Sequence, residues 1–428
     1  MKTDRPRLSV VIPSYNRCEM LRQTLDSLAA QRFPTAGFEV IVADDGSTDQ
    51  TAAVAAGYAS RLRLRYCHQE DQGYRAAAAR NAGGRLATAP VLAFLDTGTL
   101  AGPDFVRGHL AAHGSGTAGA VLGYCYGYRP LDDMTWLTEA LAALGPEQTV
   151  WRLGGDPRFA DVRHGDFAAA GFDLSTLVAP WIFCWSMNFS VGAEAFWRAG
   201  GFDEDYRTWG GEDTELGYRL HRDGAGFGVT RDAWAIELPH ERRLKGNRQH
   251  LKRNYLRFLA KHCEPISEIV CSAHLRDQAT PVEADSVILA SWARAAAGQA
   301  VAGELAAAAA GLPAGASVAV FGCGPAVPAS LPPATLLDFD RDLLASALAG
   351  GGHAGYHLIG IRTPLRAGSV DVVIITSRLR GIWDRWGDLV LAEAHRIGRQ
   401  VRVLFAAALP GRSGHGQAEV AETGIVVR

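Results

Sequence analysis

The sequence predicts an α/β protein in two units, the first built on a mostly parallel sheet with helices on both faces, the second smaller and of the same class. Three observations predict it. At 428 residues the chain exceeds the usual size of one domain. Its first hundred residues alternate apolar runs with helical patterns, and strands that are apolar throughout are buried on both faces, as in parallel sheets. A second alternation of the same kind begins near Val318.

Taken in order, residues 8–12 read as a strand and 17–31 as a helix, 38–43 as a strand and 48–59 as a helix. Residues 62–67 read as a third strand, 74–86 as a third helix and Val91–Leu95 as a fourth strand. Ligands of such sheets bind beyond the carboxyl ends of the strands. Residues 13–16, the Asp44-Asp45 pair and Asp96 all fall there. Residues 123–180 are less regular, with several turn signals, and read as an insertion able to shape an acceptor pocket. Residues 181–191 are again strand-like, 193–199 a short helix, and Glu212–Arg222 a helix whose acidic start suits the helix dipole. A basic stretch over 240–261 reads either as a solvated helical face or as cations that neutralise a diphosphate. Residues 263–284 are expected to be a linker between units 1–262 and 285–428.

Composition narrows the function. Hydrophobic residues make up 48% of the chain, enough for real cores, and no stretch reads as a spanning helix. The formal net charge of -2 gives no reason to expect nucleic acid or a membrane surface as partner. Only four of the 43 basic residues are lysine, which fits a GC-rich bacterial genome. Seven scattered cysteines without a Cys-x-x-Cys pair point to reduced thiols in a cytoplasm, not to a disulfide framework or a zinc site. No charged leader with a long apolar core precedes the first strand, so no signal peptide is expected.

The chemistry lies in acids placed at element ends. Asp96 closes a buried strand in Phe94-Leu95-Asp96-Thr97-Gly98, and Trp209-Gly210-Gly211-Glu212-Asp213 puts two adjacent carboxylates where a loop becomes a helix. Val10 to Arg17, Val42 to Asp49, Arg80-Asn81-Ala82-Gly83 and Phe94-Leu95-Asp96, in that order, resemble family-2 glycosyltransferases of the GT-A fold. Taken alone, Asp44-Asp45-Gly46 would be an ordinary turn and helix cap. The resemblance implies that Pro13, Tyr15 and Asp44 hold the nucleotide, with Arg80, Asp96 and Thr97 on the nucleotide-sugar side.

Asp96-Thr97-Gly98 departs from the family's Asp-x-Asp, so one metal ligand is missing. Trp-Gly-Gly-Glu-Asp followed some 27 residues later by His240 resembles β-1,4-galactosyltransferases and chondroitin-polymerase-like enzymes. That resemblance implies Mn²⁺ or Mg²⁺ held by Asp96, His240 and the diphosphate, since such ions take oxygen ligands and keep several waters. It also implies Asp213 as the base that takes the acceptor proton, and Trp209, Gly211 and Glu212 as acceptor-binding residues. A single base opposite the leaving group inverts the anomeric centre.

Residues 318–324, Asp338, 364–371 and 393–397 resemble a class I S-adenosylmethionine methyltransferase, but Gly322-Cys323-Gly324-Pro325 lacks a third glycine. The expectation is a degenerate accessory unit for packing, homodimer formation or acceptor recognition. The whole then reads as an inverting hexosyltransferase that uses a UDP-sugar, UDP-glucose or a close relative, on a small hydroxylated acceptor. The alternatives are a methyltransferase with a sugar-recognising first half, a polysaccharide transferase and a non-catalytic sugar-binding protein.

Overall fold

The computed structural model describes residues 5–405 apart from 115–118, 130–131, 241–243 and 277–280. The chain divides into two compact units, Met1–Asn254 and Tyr255–Arg428. Among the described residues no helix is long and apolar enough to cross a membrane.

The strands of the first unit are β1 (Leu8–Ser14), β2 (Phe38–Asp44), β3 (Leu64–His68), β4 (Val91–Leu95), β5 (Thr99–Ala101), β6 (Ala120–Tyr126), β7 (Asn188–Gly192) and β8 (Phe227–Glu237). They form one sheet in the order β3-β2-β1-β4-β7-β6-β8-β5. β3, β2, β1 and β4 run parallel, as expected of strands separated by helices. Beyond β4 the sheet is mixed: β7 is antiparallel to β4 and β6, and β5 to β8, while β6 and β8 are parallel. The expectation of a mostly parallel sheet therefore holds for the first half only. After Asp96 the chain leaves β4 without a crossover helix and enters β5, which pairs with β8 at the far edge of the sheet.

The centre of this sheet is densely apolar. Val10, Val11 and Ile12 of β1, Val40, Ile41 and Val42 of β2, and Leu92 to Leu95 of β4 are all 0% exposed. Each large side chain so buried contributes roughly 1.5–3 kcal/mol. Phe94 meets Phe189, Phe196 and Phe202 with centroids 6.2, 5.3 and 5.1 Å away. This aromatic cluster sits directly beneath the Asp96 turn and fixes it. The helix Ala76–Leu86 lies close on the sheet because Gly83 has no Cβ; one built there would stand 2.5 Å from Val11 Cγ1.

Three expectations are corrected. Residues 181–191 are a strand only over Asn188–Gly192; Pro180–Phe183 is a 3₁₀ turn, started by a proline whose fixed φ suits a first helical position. Inside the irregular stretch, Thr135–Leu153 is a helix broken at Gly145, with φ 72°, and Pro146. The linker expected over 263–284 is largely the helix Pro265–Arg276, buried from Ser267 to Ala273. Its Glu268 is 0% exposed and accepts the N–H groups of Ile359, Gly360 and Arg362, so an acid that reads as solvated is a core residue. Residues 241–243 of the basic stretch lie outside the described residues; on the helix Leu244–Lys261 that follows, Arg248, Lys252, Arg253, Arg257 and Lys261 are exposed.

The second unit carries β9 (Val318–Phe321), β10 (Ala334–Leu337), β11 (Ala354–Tyr356), β12 (Val370–Ile375) and β13 (Gly398–Val403). Their order is β11-β10-β9-β12-β13, with every pairing parallel. At its carboxyl edge Asp338 and Arg378 form an ion pair with both side chains 0% exposed.

Candidate active site

The turns that follow β1 and β2 are stitched together. After β1, Asn16 takes a left-handed φ of 49°, and its Oδ1 accepts the Thr48 N–H at 2.8 Å. The Asn16 N–H donates to Ser47 Oγ at 2.8 Å, and the Asp45 N–H to the Ser14 carbonyl at 2.8 Å. The ring of Tyr15 stands 46% exposed beside them, its hydroxyl donating to Asp71 Oδ2 at 2.9 Å. Gly46 lets the Asp71 segment close in, since a Cβ there would meet the Asp71 nitrogen at 2.5 Å.

Asp44 is less open than the sequence suggests. It is 2% exposed, one oxygen accepting from the Ser47 N–H at 2.8 Å and the other from the Tyr66 hydroxyl at 2.6 Å. A carboxylate oxygen accepts more than one bond, so a further lone pair remains for a ligand. Asp45 is committed to the Arg75 N–H and to Gln69.

Asp96 lies at the tip of β4, its side chain 38% exposed. Thr97 donates its hydroxyl to the Pro13 carbonyl at 2.8 Å, which locks the two turns together. Gly98 has a φ of +93°, and a Cβ there would meet Met20 Cε at 2.2 Å. The glycine thus suits a backbone conformation that other residues resist, while the nearest neighbour is the flexible Met20 side chain. His240 lies just beyond the neighbouring strand end. β5 pairs Thr99 with Glu237 of β8, the Leu238 N–H donates to the Gly98 carbonyl at 2.9 Å, and His240 follows two residues later.

The other half of the candidate site is the start of the helix Glu212–Arg222. Gly210 and Gly211 both have left-handed φ, 91° and 92°, so the chain enters the helix by a turn that other residues resist. Asn254, 4% exposed, holds that turn by donating to the carbonyls of Thr208 and Gly210 at 3.0 and 2.6 Å. Trp209, within it, is half-buried. Gly217 lets the 181–184 segment pack against the helix, since its Cβ would meet the Trp181 carbonyl oxygen at 2.9 Å. Two residues beyond that segment, the Ser186 N–H donates to Asp213 Oδ2 at 3.2 Å.

The acids then divide. Glu215 is 0% exposed and paired with Arg219 at 2.6 Å, which makes it structural. Glu212 is 4% exposed; its Oε1 accepts from Arg80 at 3.0 Å while Oε2 is buried without a hydrogen-bond partner. Asp213 is half-buried, and burial with the adjacent Glu212 carboxylate pushes its pKa up to about 7, against the lowering effect of Arg80 and of the Ser186 and Thr214 N–H groups. A carboxylate poised near neutrality, beside one with an unused oxygen, is the equipment of a general base next to a hydroxyl-binding group. Arg80 joins the two ends, since its other Nη donates to Asp96 Oδ1 at 2.8 Å.

The fold thus brings together Asp96, Arg80, Glu212 and Asp213 in direct contact or adjacency, with Thr97, Pro13 and Tyr15 along one side. Among the described residues there is no group of three or more His, Cys, Asp or Glu able to hold a metal. Four residues that organise the site went unread in the sequence: Asp71, Asn81, Ser186 and Asn254. Asn81 stands beside Arg80 in the Arg-Asn-x-Gly motif and could have been found there; its amide clamps the Phe202 backbone, donating to the carbonyl and accepting from the N–H, both at 2.9 Å.

The chain is similar to several known proteins. The model of glycosyl transferase family 2 matches residues 9–165, and that of the N-terminal domain of galactosyltransferase matches residues 171–241. Validoxylamine A glucosyltransferase of Streptomyces hygroscopicus subsp. limoneus is 46% identical over 406 residues, covering 92% of this chain and 90% of that protein. Chondroitin synthase of Escherichia coli is 32% identical over 53% of this chain and 34% of that protein. Among solved structures, the mannosyltransferase PcManGT from Pyrobaculum calidifontis, in complex with GDP-Man and Mn²⁺, matches with a TM-score of 0.44 and 22% identity over 72% of this chain and 81% of that chain. The near-full-length relative and the family match together establish that the chain belongs to glycosyl transferase family 2 and is a glycosyltransferase.

Proposed function

We propose that the chain transfers glucose from UDP-glucose to a hydroxyl of a small acceptor of the validoxylamine A type, with inversion. The acceptor and the glucosyl group are carried from the relative that matches along nearly the whole chain, and UDP from the family resemblance. The observation that carries the mechanism is Asp213, raised to about 7 beside a Glu212 whose Oε2 has no partner. In this reading a second hydroxyl of the acceptor donates to Glu212, and the attacking hydroxyl gives its one proton to Asp213. The new bond forms from that oxygen to the anomeric carbon. The bond from that carbon to the diphosphate breaks on the opposite face, and UDP leaves with the electron pair.

Tyr15 and Pro13 line the nucleotide end, with Asp44 offering its remaining lone pair. Asp96 and His240 are the residues that would hold Mn²⁺ or Mg²⁺, the diphosphate and water completing its shell. The histidine fits such a role, because its Nδ1 is bonded to the Leu238 carbonyl at 3.0 Å, the outer contact that orients a ligating imidazole. The ion would neutralise charge on the leaving diphosphate. All seven cysteines are free, which suits a reducing compartment with nucleotide sugars such as the cytoplasm.

The test is UDP release from a panel of UDP- and GDP-sugars, with Mn²⁺, Mg²⁺ or EDTA, with and without validoxylamine A. Release from UDP-glucose that rises on adding the acceptor and is lost in Asp96→Ala and Asp213→Asn is expected. Preference for another sugar, or indifference to that acceptor while another reacts, would overturn the assignment.

A further inference from the structure

Arg80 is placed unlike an arginine that grips a nucleotide. It is 4% exposed, on the helix Ala76–Leu86, with its guanidinium 5.3 Å from the centre of the Phe202 ring. One Nη donates to Glu212 Oε1 at 3.0 Å and the other to Asp96 Oδ1 at 2.8 Å, while Nε is buried without a hydrogen-bond partner. Its donors thus face inward, onto one acid from each end of the site. The next residue, Asn81, clamps the Phe202 backbone and reaches Glu204 at 2.9 Å, so this helix turn is anchored independently of any ligand.

We infer that Arg80 is a positioning residue that ties the donor acid Asp96 to the acceptor acid Glu212 through one guanidinium, so that the Glu212 carboxylate is fixed through Oε1 beside Asp213. The inference rests on the reading of Asp213 as base. A planar fork spans two carboxylates as a lysine ammonium does not. The fork also sets the charge of the cluster. Asp213 is faced by Glu212 and Arg80, and Tyr74 and Cys184 also lie in its field, with Asp96 beyond Arg80. Without the guanidinium, the carboxylates of Asp96, Glu212 and Asp213 repel one another, and Asp213 holds its proton to higher pH.

Three variants test this with separate donor and acceptor kinetics across pH. Arg80→Met is expected to raise the acceptor KM by about 10–100-fold, the scale of a lost charged hydrogen bond, with the donor KM much less affected. The acid limb of kcat/KM should move about one unit alkaline. Arg80→Lys should keep the limb near its original place, because the charge remains, yet leave the acceptor KM raised, because the fork is gone. Arg80→Met with Glu212→Gln should return the limb towards the wild type, because the repelling partner has left too. If Arg80→Met does not fold, the split between limb and acceptor KM in Arg80→Lys decides alone. A raised donor KM with an unmoved limb in either single variant makes Arg80 a nucleotide-binding residue and overturns the inference. Failure of the underlying mechanism looks different: Asp213→Asn would then keep its transfer rate, and the wild type would show no acid limb near neutrality.

Discussion

Asp338 of the second unit and Asp96 of the first occupy comparable places, just beyond the carboxyl ends of β10 and β4, each strand in a parallel pair, and the fold treats them in opposite ways. Asp338 is 0% exposed and fully spent: Arg378 donates to its two oxygens at 2.9 and 3.0 Å, the Gly324 N–H at 2.8 Å and the Asp340 N–H at 3.0 Å. Arg378 is equally consumed, its Nη1 on the Ala296 carbonyl at 2.7 Å and its guanidinium 5.0 Å from the Phe339 ring centre. One acid meets one base and the account closes. In the first unit the Arg80 guanidinium serves Asp96 and Glu212, with Asp213 alongside, and Glu212 keeps an oxygen without a partner. A topological position makes a site only where charge and hydrogen-bonding capacity are left over.

The comparison breaks most visibly in rate. Asp213→Asn is expected to lower kcat by about 10²–10⁴, the usual contribution of a general base, while the protein stays folded. Asp338→Asn should leave kcat of the folded protein untouched. A fall of similar size from Asp338→Asn, with full folding by circular dichroism, would mean that the sealed pair serves the reaction.

In stability the order reverses. Removing one partner of a buried ion pair leaves the other charge stranded, so Asp338→Ala or Arg378→Met is expected to cost about 3–5 kcal/mol in denaturant titration. Joint replacement by Asp338→Leu with Arg378→Met should restore most of that loss, because matched apolar groups carry no desolvation penalty. With its acid already occupied, the second unit is expected to give no heat with S-adenosylmethionine in calorimetry. A saturable signal lost in Asp338→Ala would restore a live methyltransferase reading.

Much of this contrast was legible in the sequence, and the residues show why the rest was not. β4 and the helix Glu212–Arg222 were read with their correct bounds, because an unbroken apolar run and an acidic start after paired glycines are local signals. Asp96, Glu212 and Asp213 followed from their place at element ends. Ser186 and Asn254 carry no such signal, since each acts on a backbone or carboxylate far along the chain. The linker expected over 263–284 failed for a related reason: nothing local announces that the N–H groups of residues 359–362 close around Glu268. The seal on Asp338 depends on Arg378, 40 residues further on, and no spacing rule announces it.

A smaller effect sharpens the reading of Asp96-Thr97-Gly98. Gly98→Asp would complete the family's acidic motif on paper, yet it places a side chain at φ +93° against Met20. The expected result is a loss of about 1–3 kcal/mol in stability with no gain in Mn²⁺ affinity. A gain in affinity on a stable fold would show that the glycine is a functional choice and not a steric one.

The smallest expected effect is a pH slope. Burial and the adjacent Glu212 carboxylate raise the Asp213 pKa in the folded protein above its unfolded value near 3.9, so the folded state binds the proton more tightly. Stability from this group is therefore present at low pH, falls as pH rises from about 4 to about 7, and is flat above. The acid is partly exposed, and solvent screening reduces the loss to about 1 kcal/mol. That corresponds to a Tm drop of about 2–4 °C for units of this size. Wild type measured at pH 5 and pH 8 should show this drop on top of whatever the other groups contribute. Asp213→Asn should lose that increment, whereas Asp338→Asn, though less stable at every pH, should keep it. An increment that persists without Asp213 would place the titrating group elsewhere and remove the base from the position the geometry gives it.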